Sequence, residues 1–511
     1  MIDVTRALRI CRLAAFACST VLASIMLTPS VSRASQDCDT AEDPCHADCI
    51  EADLRNAVAA VQASGGNRTI QFLHGGGCTI TMTQLPTTPA LPATCSGNDS
   101  VGNAVCLSGD SITIDGEDKV TFTYRPPLDS TPGHNPLDGA CCSDQCGQDQ
   151  YMSALFSITG SNNTLKNFTM QYFPESTQIR SGNNNLIDHV KVPIICEDAF
   201  TVMAGSNNKI QNSEFTGTQK PNAVTDDVTP PLTRVCHRAN VPNPDPRNPA
   251  HFTDGPCGMD KALQINGGGT SAEPTLVTNN SFANVSQPVH VYDASAIVKI
   301  VGNTANGLFP TCPPYSTATG LSCVGNNGSN HPSDPFFEFL SCEEICQGFV
   351  MENGITTLEN NTVSYCKFGI KARGTSRVTT IRNTMKFNYV SAFSAIDYGW
   401  LMGDHNKMLN NGCFTGSGIG HGALMATGAN THVDFGGGDS YSNCIPEGSC
   451  SSGGNSFCQD TITDVYNVFA SGNYGLIGAW LNCWGDGTGT GVAQPPGADD
   501  PPRTSIDDPT T

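Results

Sequence analysis

Acidic residues and one lysine recur beside short β-prone segments between positions 175 and 261. The carboxylates are Glu175, Glu197, Asp198 and Asp260, and Lys261 follows the last of them directly. Oxygen ligands suit a hard metal cation, and a lysine beside them suits an anionic substrate. The sequence therefore predicts a site for a metal ion and an anionic substrate, provided that the fold brings these segments together.

A histidine and a basic segment further along the chain give a second group of candidates. The unperturbed pKa of a histidine lies near neutrality, so His290 suits the role of a general base. Lys371 and Arg373 belong to an unusually basic segment of an acidic chain, and we expect them to bind an anionic polymer. Structural alternatives stay open: Lys261 can form a surface ion pair, His290 can be a structural histidine, and the basic side chains can line a solvated strand.

The elements that would position these residues repeat along the chain. Pairs of asparagine begin at positions 162, 184 and 207, and therefore recur after 22 and then 23 residues; further pairs begin at 279, 360 and 410. Asparagine tolerates the left-handed backbone conformation and can stack its amide on the asparagine of the next coil, marking the same corner each time. A repeat of about 22 residues suits three short strands and three turns. The pattern predicts an all-β fold, a right-handed parallel β-helix, because turns of a β-sandwich would not keep this period.

A helix and several long inserts are expected to modify this solenoid. Leu54, Val58 and Val61 lie on one helical face and are followed by glycines, which predicts a short N-terminal capping helix. Segments rich in Pro, Cys or Gly interrupt the repeat at 125–150, 217–256 and 309–346. Long loops on a rigid scaffold are often functional, and two of the three inserts flank the acidic residues, so we expect those two to form the walls of a groove.

The two ends of the chain differ from its middle. Three arginines within the first twelve residues precede an apolar segment and a small-residue cleavage site, so residues 1–34 are predicted to be the signal peptide of a secreted, extracellular protein. The β-helix domain is expected over 35–484. The tail over 485–511, rich in Gly, Pro, Asp and Thr, is expected to be disordered. No later segment is apolar for long enough to cross a bilayer, so we expect no membrane association after signal removal. We expect the protein to be a monomer.

Composition restricts the partners of the protein. The 511 residues include 26 basic and 47 acidic side chains, for a formal net charge of −21. Nucleic acid is not expected as a partner, because phosphate binding needs a basic footprint. A polyanionic substrate would need a cation or a local basic patch to offset like charge. The 24 cysteines, two of them in the predicted signal peptide, predict disulfides in an oxidising compartment.

Several of these segments resemble the pectate lyases of the β-helix superfamily, over roughly residues 160 to 305. In one branch, two calcium-binding aspartates stand at the positions of Glu175 and Thr177, and an Asp-His pair stands at Asp188-His189. The calcium-binding glutamate of that branch corresponds to Glu197, and its active-site lysine corresponds to Lys261. A second, more compact branch is similar at Cys196-Glu197-Asp198-Ala199 and at Asp260-Lys261 with Gln264 and Asn266. The resemblance implies Glu175, Glu197, Asp198 and Asp260 as ligands of Ca²⁺, and Lys261 as a catalytic residue.

The sequence departs from both branches at the next basic position. Ser286 stands where the first branch has an arginine, and Gln287 and His290 replace a lysine and an arginine of the second branch. Thr177 and Thr201 also replace carboxylates of the first branch. The expected base is therefore missing from its place, and His290 is the candidate to replace it.

The resemblance implies Ca²⁺-dependent β-elimination on an anionic, uronate-containing polysaccharide. That reaction removes a weakly acidic proton next to a sugar carboxylate, whose charge must be neutralised while a carbanion-like state develops. Lys261 would stabilise this state or take the proton, with His290 as an alternative base. Two other functions stay open: a β-helix that binds glycan or a surface without catalysis, and a glycoside hydrolase of the polygalacturonase type, which needs clustered carboxylates and no metal.

Overall fold

The computed structural model describes the chain in segments. These are residues 38, 40, 42–73, 76–83, 104–125, 154–171, 173, 177–195, 198–217, 261–285, 287–307, 346–388, 391–409, 411, 422–427, 431–435, 455–458, 468–471, 476–478 and 483–485. The predicted signal peptide, the bulk of the three inserts and the predicted tail lie outside the described residues.

Strands dominate the described residues. One helix, α1, spans Glu51–Ala63. The strands are β1 (Cys45–Asp48), β2 (Arg68–Leu73), β3 (Cys78–Thr83), β4 (Val105–Leu107), β5 (Ile112–Arg125), β6 (Phe156–Ile158), β7 (Thr164–Gln171), β8 (Thr177–Ile179), β9 (Leu186–Ile194), β10 (Asp198–Val202), β11 (Lys209–Gln211), β12 (Glu214–Thr216), β13 (Lys261–Ile265), β14 (Thr275–Thr278), β15 (Ser281–Ala283), β16 (Gln287–Val291), β17 (Ile297–Val301), β18 (Thr304–Asn306), β19 (Phe349–Met351), β20 (Ile355–Glu359), β21 (Thr362–Ser364), β22 (Phe368–Arg373), β23 (Arg377–Ile381), β24 (Thr384–Lys386), β25 (Ser391–Ile396), β26 (Trp400–Asp404), β27 (Lys407–Leu409), β28 (Gly422–Thr427), β29 (His432–Asp434), β30 (Ser456–Cys458), β31 (Val468–Ser471), β32 (Leu476–Gly478) and β33 (Cys483–Gly485).

The strands stack as coils of three. Each regular coil gives one strand to an 11-stranded sheet, called sheet 1, and two strands to a 22-stranded sheet, called sheet 2. The coil of β10, β11 and β12 is followed by β13, β14 and β15, and each strand pairs in parallel with its counterpart in the next coil. The fold is the predicted right-handed parallel β-helix, the sense that crossovers between parallel strands take in almost all proteins.

The core is a set of apolar columns that run through successive coils. On sheet 1, Phe200, Leu263, Val289, Phe349 and Ile370 are aligned by strand register, and all of them are buried. Burial of an apolar side chain of this size contributes about 1.5–3 kcal/mol. Every coil therefore contributes to one continuous core, and its remaining side chains are free to face outward.

The N-terminal end of the stack is covered by α1, as the sequence predicts. Leu54, Val58 and Val61 are fully buried against the core. Arg55 is also buried, where it donates to the carboxylate of Glu51 and to a backbone carbonyl. Within the described residues, no helix is long and apolar enough to cross a membrane.

Three disulfides lie within the described residues, which agrees with the prediction of disulfide bonding. Two of them, Cys38–Cys45 and Cys49–Cys78, tie together the segments around α1 at the capped end. The third, Cys346–Cys366, joins the segments that lead into β19 and β22 of successive coils.

The two members of an asparagine pair have different tasks. Asn184 is exposed and has φ 58°, the left-handed conformation that turns the chain. Asn185 is fully buried, and its backbone N–H and side-chain amide donate to Oδ1 of Asn208 in the next coil at 3.0 and 3.1 Å. The first asparagine therefore turns the chain, and the second satisfies the buried polar groups of the corner.

The asparagine pairs mark more than one corner, which corrects the prediction of a single corner. The pairs beginning at 162, 184 and 207 precede the first sheet 2 strand of their coils, whereas those at 279 and 360 lie between two sheet 2 strands. Asn411 belongs to a third corner, where it accepts from Asn388. Any corner that needs a left-handed residue followed by a buried polar partner accepts the same two residues, so the sequence cannot distinguish the corners.

The ladder at the second corner is longer than the asparagine pairs indicate. In several coils the left-handed residue is Gly302, Arg382 or His405 instead of asparagine. The buried amides of this ladder come from Asn280, Asn303, Asn361, Asn383, Asn406 and Asn455. Each buried amide is therefore bonded to the next coil even where the sequence lacks a recognisable pair.

Removing one amide tests the contribution of this ladder. Asn383 donates to Asn406 and to the carbonyl of Leu358, and it accepts from Asn361. We expect Asn383→Ala to lower the free energy of unfolding by about 3 kcal/mol, because several buried groups lose their partners. Denaturant unfolding measures this loss. Asn360→Gly is the matched control: the residue is exposed with φ 54°, and glycine adopts this conformation without strain. Equal losses in the two variants would contradict the prediction.

Candidate active site

The strand register of sheet 1 arranges the described candidate residues in columns. Residues in register on successive strands lie one coil apart, a spacing of about 4.8 Å. The first column holds Asp198, Lys261 and Gln287; the second holds Thr201, Gln264, His290, Val350 and Lys371; the third holds Asn266, Tyr292, Glu352 and Arg373. Coil stacking thus aligns residues that are far apart in the sequence. The second and third columns alternate with the buried core column and belong to the outer face, whereas the first column, at the start of the strands, has the same parity as the core residues.

Lys261 is held by an acidic neighbour in the preceding coil. Its Nζ lies 3.2 Å from Oδ1 of Asp198, and both side chains are largely buried. The two residues begin strands β13 and β10 and are directly opposite each other in register. An ion pair with this little access to water fixes the position of the ammonium group more firmly than a pair on an exposed surface.

His290 and Arg373 are linked through one carboxylate oxygen. Oε2 of Glu352 lies 3.0 Å from Nε2 of His290 and 2.7 Å from a terminal nitrogen of Arg373. His290 is buried, whereas the side chain of Arg373 is 41% exposed. Tyr292, 51% exposed, places its ring edge-on to the imidazole at 5.7 Å between centroids. Side chains of the third column are therefore accessible to solvent, whereas those of the first column are largely buried.

The imidazole of His290 is neutral at pH 7. Burial lowers its pKa to about 4, although the hydrogen bond with Glu352 opposes this shift. The positive charges of Lys261 and Arg373 lower the pKa further. At neutral pH this histidine is unprotonated, so it can accept a proton and cannot donate one, and its lowered pKa makes it a weaker base than an exposed histidine.

Glu352 is ionised in this setting. Burial raises its pKa, but the hydrogen bonds and charges of Arg373 and His290 outweigh burial and leave the pKa below its usual value. This carboxyl group is therefore an anion that accepts hydrogen bonds, and it is not placed as a proton donor at neutral pH.

The basic segment divides between the two sheets. Lys371 lies in the column of His290, two coils further on and about 10 Å away. Its Nζ lies over the ring of Phe368 at 5.0 Å from the centroid. Arg377, four residues after Arg373, begins a strand of sheet 2 and lies against Trp400 at 6.0 Å. Lys371 and Arg373 thus share the face of His290, as a substrate-binding role requires, whereas Arg377 does not.

The predicted calcium site is largely outside the described residues. Glu175, Glu197 and Asp260 all fall there, and Asp198 is paired with Lys261. Among the residues that the structure describes, no group of three or more His, Cys, Asp or Glu side chains is placed to hold a metal ion. Thr177, which aligns with a calcium-binding aspartate of the pectate lyases, is fully buried beside the sulfur of Met170. The calcium site stays a prediction.

The Asp-His match of the resemblance lies away from this face. Asp188 and His189 sit at a corner of sheet 2, where His189 has φ 52° and its Nδ1 lies 2.8 Å from Oδ1 of Asp188. Asp404 and His405 repeat the same arrangement at the same kind of corner. The dipeptide is therefore explained by the chemistry of the turn.

Sequence reasoning did not identify Glu352 or Tyr292. Glu352 is 62 residues from His290, on the far side of a long insert, so no local motif connects the two. One signal was available: Glu352 and Arg373 end equivalent sheet 1 segments one coil apart. Aligning strand ends by the repeat would have placed Glu352 beside Arg373.

Fold and site together define a parallel β-helix protein with a polar, largely buried cluster on one sheet. No known protein family and no curated protein matches the sequence. Similar solved structures include an exopolygalacturonase from Thermotoga maritima (9% identity, TM-score 0.32, 71% of this chain and 88% of that chain covered), a PL6 alginate lyase in complex with a trisaccharide (13%, 0.35, 87% and 85%) and an alginate lyase from Paenibacillus sp. str. FPU-7 (9%, 0.26, 86% and 98%). Identities and TM-scores of this size do not place the chain in the family of any of the three.

The buried neutral histidine predicts acid sensitivity of the fold. The pKa of His290 is about 4 in the folded protein and near 6.5 when the chain is unfolded. Between these values the unfolded state binds more protons, so stability is lost as the pH falls from 6.5 towards 4. We expect the free energy of unfolding of His290→Gln to fall over this pH range by about 3 kcal/mol less than that of the wild type. Unfolding free energies measured across this range test it, with His405→Gln, 61% exposed, as the control. Parallel pH profiles for wild type and His290→Gln would contradict the prediction.

Proposed function

We propose that the protein is a secreted polysaccharide lyase that cleaves a uronate polymer by β-elimination. The observation that carries this proposal is the neutral imidazole of His290 between the cations Lys261 and Arg373. The reaction needs a base for a carbon-bound proton, and it needs positive charge where the sugar carboxylate becomes electron-rich. Both requirements are met by side chains from neighbouring coils of sheet 1.

The chain's own residues divide the work in the proposed reaction. His290 accepts the proton next to the sugar carboxylate, and the electrons of that C–H bond form the new double bond. The bond to the leaving sugar oxygen breaks, and that oxygen keeps the electron pair and takes a proton from water. Lys261 and Arg373 neutralise the carboxylate as charge develops on it. Asp198 and Glu352 hold these two cations in place, so little reorganisation is needed when the charge appears.

Basic side chains extend the proposed site towards neighbouring sugars. Lys371 lies two coils beyond His290 in the same column, and Arg373 is partly exposed beside it in the third column. A polymer with a carboxylate on each sugar would place negative charge near both cations. Such charge complementarity selects a polyanion even though the protein as a whole carries a net charge of −21.

The two described carboxylates of the site favour elimination over hydrolysis. A glycoside hydrolase needs a protonated carboxyl group as its general acid, which requires a raised pKa. The pKa of Glu352 is lowered, and Asp198 is paired with Lys261. Neither residue is placed as that acid, so the hydrolase is the weaker candidate.

Product analysis tests the proposed reaction. We expect polygalacturonate or another uronate polymer to yield unsaturated products detected by ultraviolet absorbance. Lys261→Ala should lower kcat/KM by about 100-fold or more, because charge stabilisation at the carboxylate is lost. Lys299→Ala, which removes a lysine paired with Glu359 on sheet 2, is the matched control and should retain activity. New reducing ends without absorbance would identify a hydrolase, and binding without either product would identify a non-catalytic glycan-binding protein.

Calcium dependence follows from the sequence resemblance and is proposed on that basis. Held by Glu175, Glu197, Asp198 and Asp260, Ca²⁺ would supply further positive charge to the sugar carboxylate. We expect calorimetry to detect Ca²⁺ binding that Glu197→Gln weakens, and we expect a chelator to abolish product formation reversibly. Unchanged activity in chelator, together with no heat of Ca²⁺ binding, would contradict this part of the proposal.

A further inference from the structure

One carboxylate oxygen joins two parts of the candidate site. Oε2 of Glu352 accepts from Arg373 at 2.7 Å and contacts Nε2 of His290 at 3.0 Å. An ionised carboxylate can only accept hydrogen bonds. Because Glu352 is ionised, the contact with His290 is a hydrogen bond only if Nε2 carries the proton.

The position of that proton decides which imidazole nitrogen is basic. A neutral imidazole carries one proton, so protonation at Nε2 leaves a lone pair on Nδ1. The Nδ1 atom of His290 is buried and has no hydrogen-bond partner within the described structure. A buried polar atom without a partner is costly, and a catalytic role is one explanation for such an atom.

Among the charged and titratable groups around His290, Glu352 is the acceptor for the Nε2 proton. Lys261 acts on the imidazole from the preceding coil, and Arg373 acts on it from two coils beyond. Both are cations, which donate hydrogen bonds and cannot accept the Nε2 proton. Lys371 lies two coils away in the same column, and Tyr292 contributes a ring contact from the same strand. Of these groups, Glu352 is the one that can accept from Nε2.

We propose that Glu352 is a positioning residue that selects the Nε2-protonated tautomer of His290 and so makes Nδ1 the atom that removes the substrate proton. The tautomer stands on the contact between Nε2 and the ionised Glu352 carboxylate, whereas its use as a base rests on the proposed function. As the C–H bond breaks, its proton goes to Nδ1 and its electrons form the double bond, while the leaving oxygen departs with the electrons of the broken C–O bond and takes a proton from water. The Glu352 carboxylate stabilises the imidazolium that results, which then loses its proton to water.

Removal of Glu352 should change the tautomer and not only the rate. In Glu352→Ala the guanidinium of Arg373, a pure donor, remains beside Nε2 and favours a lone pair there. We expect nitrogen-15 NMR of labelled histidines to show His290 as the Nε2–H form in the wild type. In Glu352→Ala we expect a shift towards the Nδ1–H form and a fall in kcat of about 100-fold. The spectrum of His290→Gln assigns the signal.

Glu359→Ala is the matched control. Glu359 is 23% exposed like Glu352 and is likewise paired with basic side chains, but it lies on sheet 2. The control should keep both the His290 tautomer and the activity of the wild type. Persistence of the Nε2–H form in Glu352→Ala would overturn the proposal.

Two further outcomes keep the inference separate from the proposed function. If Glu352→Ala does not fold, Arg373→Ala tests the same point: Glu352 remains, so the Nε2–H form should persist, and a switch to the Nδ1–H form would refute the proposal. If the wild type cleaves no polymer but the tautomer shifts as expected, the positioning role stands while the lyase proposal fails.

Discussion

The register between successive coils is the constraint on which the rest of this protein depends. Side chains alternate between the two faces of a strand, so a slip of one residue would exchange core and surface along that strand. The corner ladders oppose such a slip, because the buried asparagines find their carbonyl and amide partners in the neighbouring coils. The same register places Asp198 opposite Lys261 and aligns His290 with Lys371. Core, corners and candidate site are therefore consequences of one pairing pattern.

Buried and exposed side chains lie within a few ångströms of one another in the candidate site. Lys261 and His290 lie on the closed side, where water screens charge poorly, and the open side carries Tyr292 and Arg373. Burial keeps His290 neutral, while the nearby carboxylates keep the cations in place. In the proposed function, a polymer would approach from the exposed third column and meet the buried charges further in. An acidic protein can thus present a locally cationic site to an anionic chain.

The structure also separates two uses of the same residue types. Histidine, asparagine and aspartate at the corners of sheet 2 satisfy the turn and its backbone, as the two Asp-His corners show. On the outer face of sheet 1, histidine and carboxylate residues contact each other across coils and have little to do with turning the chain. Position within the coil, and not residue type, distinguishes a structural histidine from one that can take part in chemistry.

Local patterns in the sequence were enough to predict the solenoid, the capping helix and several members of the site. The period of about 22 residues, the alternation of apolar side chains and the helical spacing near the N-terminus are all encoded within short segments. Only the tertiary structure decided which corner each asparagine occupies, that Asp188 and His189 lie away from the site, and that Glu352 joins His290 to Arg373. Stacking brings Lys261 to Asp198 across 63 residues and His290 to Glu352 across 62. Inserts of any length can leave a coil and return to it without changing the register, so distance along the sequence carries no information about these neighbours.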